Sequence, residues 1–404
     1  MVASPSPSAR LVFLNRFYWP DEPATAQLLT DLAESLAEKG RPVSVITSNP
    51  DPRRVPREER RHGVQITRIA SSRARHPGVA GKAVDFATFQ VGALWRLFRM
   101  CRRDDVVVAM TDPPLLGVGV WFVAALRGSR LVHWVQDIYP EIAIELAGHS
   151  WLRIFRPLRN RAWRAAQHCV TVGHDMERML AAAGVAESRR SVIPNWAPAG
   201  LAPPPPGPTE ALRAAWNLTG KFVVAYSGNL GRVHDLDPVI ALAALLQDDA
   251  AIAFLFVGAG AQRAALESAI KAQRLANVHF HPPQPRNALA ASLAVGDVHL
   301  VTLRPGCESY VFPSKLYGVA AVGRPVIVIA PSQAELGRLV VDHGLGRAFD
   351  RTALAALAAE IRLLAGDPAE CARRGSAALR FAHTHRAAVG TECWAAVLDA
   401  ARTC

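Results

Sequence analysis

Apolar residues fall along this chain in two alternating patterns. Short, mostly apolar runs at residues 10–15, 43–47, 106–110, 131–135 and 169–172 each lead into a polar turn bearing Gly, Pro or Asp. Between them lie longer stretches with apolar positions at helical spacing, such as Leu28, Leu29, Leu32 and Leu36 within residues 26–39, closed by Gly40. Runs that are mostly apolar, without strict alternation, predict strands buried on both faces. Strand–helix–strand alternation predicts βαβ units on a parallel sheet, an α/β class. The pattern resumes at residues 221–227, 251–257, 277–280, 297–303 and 325–330, with helices predicted at 315–322, 335–343, 351–364 and 391–401. Between the two series, A-P-A-G-L-A-P-P-P-P-G-P at residues 197–208 reads as a semi-stiff linker. A chain of 404 residues then predicts two domains, residues 1–200 and 201–385.

Charge is uneven along this frame. Residues 1–200 carry 27 Lys and Arg against 18 Asp and Glu, whereas the remainder is close to balance. A basic first half points to nucleic acid, anionic lipid or a phosphorylated substrate. Residues 51–77 hold Arg53, Arg54, Arg57, Arg60, Arg61, Arg68, Arg73 and Arg75 with His62 and His76. They read as a solvated, mobile basic loop with one short strand near residues 64–69. The stretch lacks interleaved aromatics, which sets nucleic acid aside. Two helical stretches, residues 86–101 and 151–167, place Trp95, Phe98, Trp151 and Phe155 beside Arg96, Arg99, Arg153 and Arg156. Aromatic faces beside Arg suit a helix lying in a membrane interface, so an anionic membrane surface is an expected partner.

The longest apolar stretch, residues 115–126, is too short for the roughly 20 residues of a spanning helix. Residues 1–10 are polar and Pro/Ser-rich, unlike a secretory leader. The six cysteines are scattered with no C-x-x-C, which argues against a zinc site or a disulfide framework and fits a reducing cytoplasm. The expected location is therefore cytoplasmic, peripheral on the inner face of the plasma membrane.

Candidate chemistry gathers at residues 304–329, R-P-G-C-E-S-Y-V-F-P-S-K-L-Y-G-V-A-A-V-G-R-P-V-I-V-I. This is a predicted strand–loop–helix–strand. A loop at the carboxyl end of a parallel strand, opening a helix, suits an anionic ligand. Glu308 offers an acceptor for sugar hydroxyls, and Arg304 and Lys315 offer positive charge. A second loop, G-N-L-G-R-V-H-D at residues 228–235, has glycines that permit close backbone approach. In Q-D-I-Y-P-E at residues 136–141, Asp137 stands at a strand's carboxyl end, the place of a catalytic carboxylate. No G-x-G-x-x-G follows the first strand, which disfavours a dinucleotide site.

The order E-S-x-x-x-P-S-K-L-Y-x-x-x-A-x-G-R-P-V-I resembles the donor-site signature of family-4 retaining glycosyltransferases. It is most similar to the subgroup that builds bacterial surface polysaccharides. F-Y-W-P-D-x-x-x-x-A-Q-L-L-T-D-L-A-E, beginning at Phe17, is similar to that subgroup's opening, and P-N-W at residues 194–196 to the end of its first domain. The resemblance implies a GT-B fold: two Rossmann-like parallel-sheet domains facing across a cleft, with residues 386–404 as a helix returning toward the first domain. It implies donor binding by Gly228, Asn229, Arg232, His234, Gly258, Ser309, Ser314, Lys315 and Leu316. The acceptor side would use Tyr18, Asp21 and Gln27, and the catalytic residues would be Asp137 and Glu308.

The implied reaction moves an N-acetylated or deoxy amino sugar, with retention, from a UDP-sugar to a polyprenyl-diphosphate-linked or saccharide acceptor. No metal or other cofactor is expected, since no D-x-D pair stands at a strand end and Asp235-Leu236-Asp237 follows a glycine loop. The chain departs from the family pattern at three places. Gln136 stands where His is common, Asn229 and His234 where Arg and Lys are usual, and Gly318 where a second Glu binds ribose. Two other readings stay open, a GT-B-like UDP-sugar epimerase and a non-catalytic membrane-surface scaffold.

Overall fold

The structure, a computed structural model, describes residues 9–49, 51, 53–71 and 79–403. The chain divides into two compact units, Met1–Asn195 with Ala387–Cys404, and Trp196–Arg386.

The first unit is built on eight strands: β1 (Leu11–Leu14), β2 (Val43–Ser48), β3 (Glu58–Arg61), β4 (Val64–Ile69), β5 (Val106–Ala109), β6 (Arg130–Val135), β7 (His168–Thr171) and β8 (Arg190–Val192). Their order is β3-β4-β2-β1-β5-β6-β7-β8, parallel throughout except for the β3–β4 pair. Every residue of β1, L-V-F-L, and of β5, V-V-V-A, is buried. That is why these runs show no alternation. β1 has β2 on one side and β5 on the other, so strand order reverses there and opens a crevice beyond the carboxyl ends of β1 and β5.

The helices of this unit are α1 (Ala24–Glu38), α2 (Val79–Met100), α3 (Leu116–Arg127), α4 (Glu141–Ala147), α5 (Arg156–Ala165) and α6 (His174–Ala182). In α1 the four predicted leucines are all buried. The helical pattern at residues 151–167 resolves into a 3-10 turn, Ser150–Phe155, followed by α5. Pro157 sets that break: lacking an N–H, it fits the first turn of a helix but not an interior.

The basic stretch is not simply a solvated loop. β3 and β4 form an antiparallel pair within it. Arg68 is fully buried, donating to Glu59 Oε2 at 2.8 Å and to the carbonyls of Pro56 and Trp19. Arg61 bonds Glu34 and lies 4.1 Å over the Trp19 ring. Part of the positive charge read from the sequence is thus spent inside the fold. Arg73, Arg75 and His76 lie outside the described residues.

The second unit carries β9 (Phe222–Ser227), β10 (Ile252–Val257), β11 (Val278–His281), β12 (Val298–Thr302), β13 (Val326–Ile329) and β14 (Gly346–Phe349), in the order β11-β10-β9-β12-β13-β14. All neighbouring pairs are parallel. Its helices are α7 (Pro208–Ala215), α8 (Asp237–Leu245), α9 (Arg263–Gln273), α10 (Leu289–Val295), α11 (Lys315–Ala321), α12 (Glu335–Asp342), α13 (Leu354–Gly366) and α14 (Pro368–Thr384). Here the strand order reverses at β9, between β10 and β12. The core joins Phe254, Phe256, Leu300 and Ile327 from the strands to Leu357 and Ile361 of α13. The last helix, α15 (Ala387–Thr403), belongs to the first unit, where the buried Trp394 packs on Trp134 of β6 with ring centroids 4.6 Å apart. Both units are parallel-sheet α/β domains, the architecture of the GT-B class.

Candidate active site

Each unit gathers candidate functional side chains at its own switch point. In the second unit, β9 ends at Ser227 and the chain turns through Gly228, whose φ of +124° favours glycine. The turn is pinned to the loop after β10: Gly228 N–H donates to Val257 O and Leu230 N–H to Ala259 O, both at 2.9 Å. Gly258 lets the two loops touch, because a Cβ there would lie 2.0 Å from Gly228 O. Tyr226 Oη donates to Asn229 O at 2.9 Å. The loop after β12 joins through Arg304, whose N–H donates to Val233 O and whose Nε donates to Arg232 O.

Lys315, the first residue of α11, points into this place. Its Nζ lies 3.6 Å from the centroid of the Tyr226 ring, and a Cβ added at Gly228 would lie 3.6 Å from its Cε. The Nζ is buried without a hydrogen-bond acceptor, and burial pushes its pKa well below the ordinary lysine value. Glu308 Oε2, Ser227 Oγ and Thr302 Oγ1 are also buried and unpartnered. A buried ammonium over an aromatic ring, with carboxylate and hydroxyl oxygens unsatisfied around the same loops, suits a ligand that brings both anionic oxygens and hydroxyl groups.

The remaining donor-side candidates divide. Ser309 and Ser314 are half-buried on the β12–α11 loop, and Ser314 makes no side-chain cap bond to α11. Arg232 is exposed. His234 does not supply positive charge. It is buried with Nδ1 2.8 Å from Thr302 O, and burial, reinforced by the Lys315 charge, pushes it down to about 3. A carbonyl can only accept, so Nδ1 carries the proton of a neutral ring. Leu316 contributes no side chain, being fully buried in α11. At Gly318 a Cβ would meet Leu293 and Leu201 at 3.6 and 3.7 Å, so the place of the family's second Glu is flanked by leucines here.

In the first unit, Asp137 lies just past β6, its N–H donating to Thr111 Oγ1 at 3.1 Å. Burial, and then the nearby Asp112 charge, push its carboxyl up to about 7. Asp112 itself is bridged by Arg16, at 2.9 Å from Nε, and the same guanidinium reaches Asp85 at 2.8 Å. Arg16 and Asp112 were not singled out in the sequence, although both follow central strands. A cavity of about 30 Å³ beside Asp137 is lined by Thr111, His133, Tyr139 and Arg159. His133 is buried and pushed down to about 4.

Gln136 is held away from chemistry by a reciprocal amide pair with Asn195, at 2.9 and 3.1 Å. The Asn of P-N-W thereby ties the end of the unit to β6. On the loop expected to serve the acceptor, Tyr18 turns inward and is fully buried, so it does not line the surface. Asp21 N–H closes the turn on Tyr18 O, and Gln27 Nε2 donates to Glu22 O at 2.6 Å.

Comparison with known proteins agrees with this architecture. Residues 25–196 match the glycosyl transferase 4-like domain, and residues 208–381 match the glycosyl transferases group 1 family. WcaI of Escherichia coli (strain K12), whose name describes a colanic acid biosynthesis glycosyl transferase, is 28% identical over 366 residues, 85% of this chain and 89% of WcaI. Among solved structures, Anabaena HepE in complex with UDP-glucose superposes with a TM-score of 0.73 at 18% identity, covering 96% of this chain and 99% of HepE. The sucrose-phosphate synthase of Thermosynechococcus elongatus reaches a TM-score of 0.77 at 16% identity, covering 97% and 98%. With one glycosyltransferase family matched on each parallel-sheet unit, the chain belongs to the family-4 glycosyltransferases of GT-B fold.

Proposed function

We propose that this glycosyltransferase moves a sugar from a UDP-sugar to a lipid-linked or saccharide acceptor in surface-polysaccharide synthesis, with retention and without a metal ion. The observation that carries the donor reading is Lys315 Nζ, buried over Tyr226 with no anion beside it. A diphosphate supplies that anion, and Arg232 at the mouth of the β9 loop adds a second charge. Glu308 Oε2 accepts from sugar hydroxyls. Two likenesses favour the choice of donor and setting: HepE was solved with UDP-glucose, and WcaI is named for colanic acid synthesis. N-acetylated and deoxy amino sugars are the first donors to try.

In the proposed reaction the anomeric C–O bond to the diphosphate breaks and a new bond forms to the acceptor hydroxyl oxygen on the same face. The hydroxyl proton passes to the departing diphosphate oxygen. Asp137 orients the acceptor hydroxyl, and Lys315 and Arg232 stabilise the charge that develops on the leaving group. The test is thermal unfolding with UDP, GDP, ADP and dTDP, on wild type and Lys315→Ala. UDP at about 100 times its dissociation constant should add about 2.7 kcal/mol of stability to the wild type and far less to the variant. A shift with a different nucleotide would rename the donor. No shift with any of them would remove the donor reading and leave the scaffold.

A further inference from the structure

The first unit carries an apolar surface that its own fold does not cover. Nine of the fourteen large hydrophobic residues that stand exposed among the described residues lie on α2, α3, α5 and the 3-10 turn leading into α5. They include every exposed Trp and Phe. Trp95 and Phe98 project from α2, Phe122 and Leu126 from α3, and Trp151 and Ile154 from the turn. Trp95, Trp151 and Ile154 are each 60% exposed or more. Single exposed apolar residues need no explanation, but a concentration of this kind on neighbouring elements marks a contact surface.

Ring and cation contacts join these elements. Trp95 stacks on Phe98 with centroids 6.3 Å apart, and Arg127 of α3 lies 5.3 Å over Phe98. On the other side of α3, Arg161 of α5 lies 6.0 Å from Trp121, the neighbour of Phe122. Arg99 lies 5.7 Å over Trp95. Arg99, Arg153 and Arg161 are exposed, and among the described residues none has a carboxylate within ion-pair distance. This differs from Arg61 and Arg68, whose charge is answered within the fold. An apolar patch set among unanswered guanidinium groups is complementary to one kind of surface: acyl chains below, anionic headgroups above. A protein partner would need matching carboxylates, and a second copy would bring the same arginines against themselves.

We infer that the α2–α3–α5 face of the first unit docks on an anionic lipid bilayer, with Trp95, Leu126, Trp151 and Ile154 in the acyl boundary and Arg99, Arg153 and Arg161 on the headgroups. No helix among the described residues is long and apolar enough to cross the membrane, so the contact is interfacial. α3 begins directly after the Asp112 loop and α4 directly after Asp137–Pro140. The turn carrying Trp151 and Ile154 follows α4, which puts that end of the face on the Asp137 side of the unit, while Leu126 stands about 15 Å along α3 from its start. The benefit to a lipid-linked acceptor rests on the proposed reaction, whereas the membrane contact does not.

The experiment is flotation of the full chain with vesicles of neutral phosphatidylcholine, and of phosphatidylcholine with about one third phosphatidylglycerol. Binding is expected only to the anionic vesicles and should be lost near 1 M salt, where the screening length falls to about 3 Å. Arg99→Gln, Arg153→Gln and Arg161→Gln should each lower the partition coefficient about fivefold. Trp95→Ser with Ile154→Ser should lower it about tenfold or more at an unchanged melting temperature. A readout on the wild type guards against misfolded variants: brominated acyl chains should quench the exposed tryptophans and leave part of the emission, that of buried Trp134 and Trp394, intact. Equal binding to both vesicle types, no binding, or no quenching would overturn the proposal. So would a dimer in sedimentation velocity that Trp95→Ser dissociates. Because the readout is binding, its failure leaves the transfer reading untouched, and the nucleotide screen tests that reading separately.

Discussion

The carboxyl ends of the two sheets share a topology and differ in chemistry. At β1 and at β9 the strand order reverses, and at both places loops from two central strands converge. In the first unit the cation is answered: Arg16 is held by Asp85 and Asp112. The group left perturbed there is a carboxyl, Asp137, pushed up to about 7. In the second unit the perturbed group is an ammonium, Lys315, buried with no acceptor. Strand order says where a ligand can enter. The sign of the uncompensated buried group says what kind of ligand makes the site satisfied. In the proposed reaction the second unit takes the anion and the first the hydroxyl-bearing acceptor.

The sharpest way to break this contrast is at Lys315. Lys315→Met should remove about 3–4 kcal/mol of transition-state stabilisation, a loss of 10² to 10³ in kcat/KM, and abolish the nucleotide-induced thermal shift. The unliganded protein should at the same time melt higher, because an unpartnered buried amine is replaced by a side chain that loses nothing by burial. A variant that lost activity and stability together would mean that Lys315 has a structural partner instead.

Asp137→Asn should lower kcat about 10²-fold and leave nucleotide binding as it is, since the change lies in the other unit. The pH profile sharpens the point. If the ionised carboxylate orients the acceptor, activity rises as pH increases through about 7 and levels off above it, and the variant lacks that limb. An unchanged limb in Asp137→Asn would assign the titration elsewhere.

A third, smaller effect is proton linkage. Lys315 has a depressed pKa in the free protein, and a bound diphosphate raises it again. Binding should therefore take up a proton at any pH between the two values, and affinity should fall as pH rises across that window. Calorimetry in buffers of different ionisation enthalpy measures the uptake directly. Absence of uptake, or proton release, would show that the ammonium is already charged before the ligand arrives.

The least change is expected at Asn195→Ala, which strands the buried Gln136 amide and should cost about 1–3 kcal/mol of stability with no effect on the nucleotide shift. A loss of nucleotide binding in this variant would mean that the two edges are coupled rather than independent.

The strands were legible because a parallel strand buried on both faces is mostly apolar without alternation, and that demand is local. β5, for example, is V-V-V-A at Val106–Ala109, within the run at residues 106–110. β3 was not legible: Glu58–Arg61 has no apolar member and is a strand only because it pairs with β4. Among the candidate site residues, Lys315 stands with Gly228 and Gly258 because their loops follow adjacent strands, and Glu308 lies on the same loop that opens α11. Their burial could not be read from the sequence, nor could that of Tyr18, because burial depends on what other loops lay over a side chain. His234 shows the same limit, since burial and then the Lys315 charge set its neutral state, and the carbonyl its Nδ1 meets is that of Thr302, 68 residues away.

The sequence by itself determined two series of buried parallel strands and the block around Lys315 whose residue order marks the family. Those properties depend on neighbours a few positions apart, where periodicity, glycine and proline act. Only the tertiary structure decided which charges are answered and which are not. Arg68 and Arg16 found carboxylates, Arg99 and Arg153 did not, and Lys315 was left beneath a loop without an acceptor. Charge compensation is a property of groups distant along the chain and close in space, and desolvation then fixes how strongly each uncompensated group calls for a ligand.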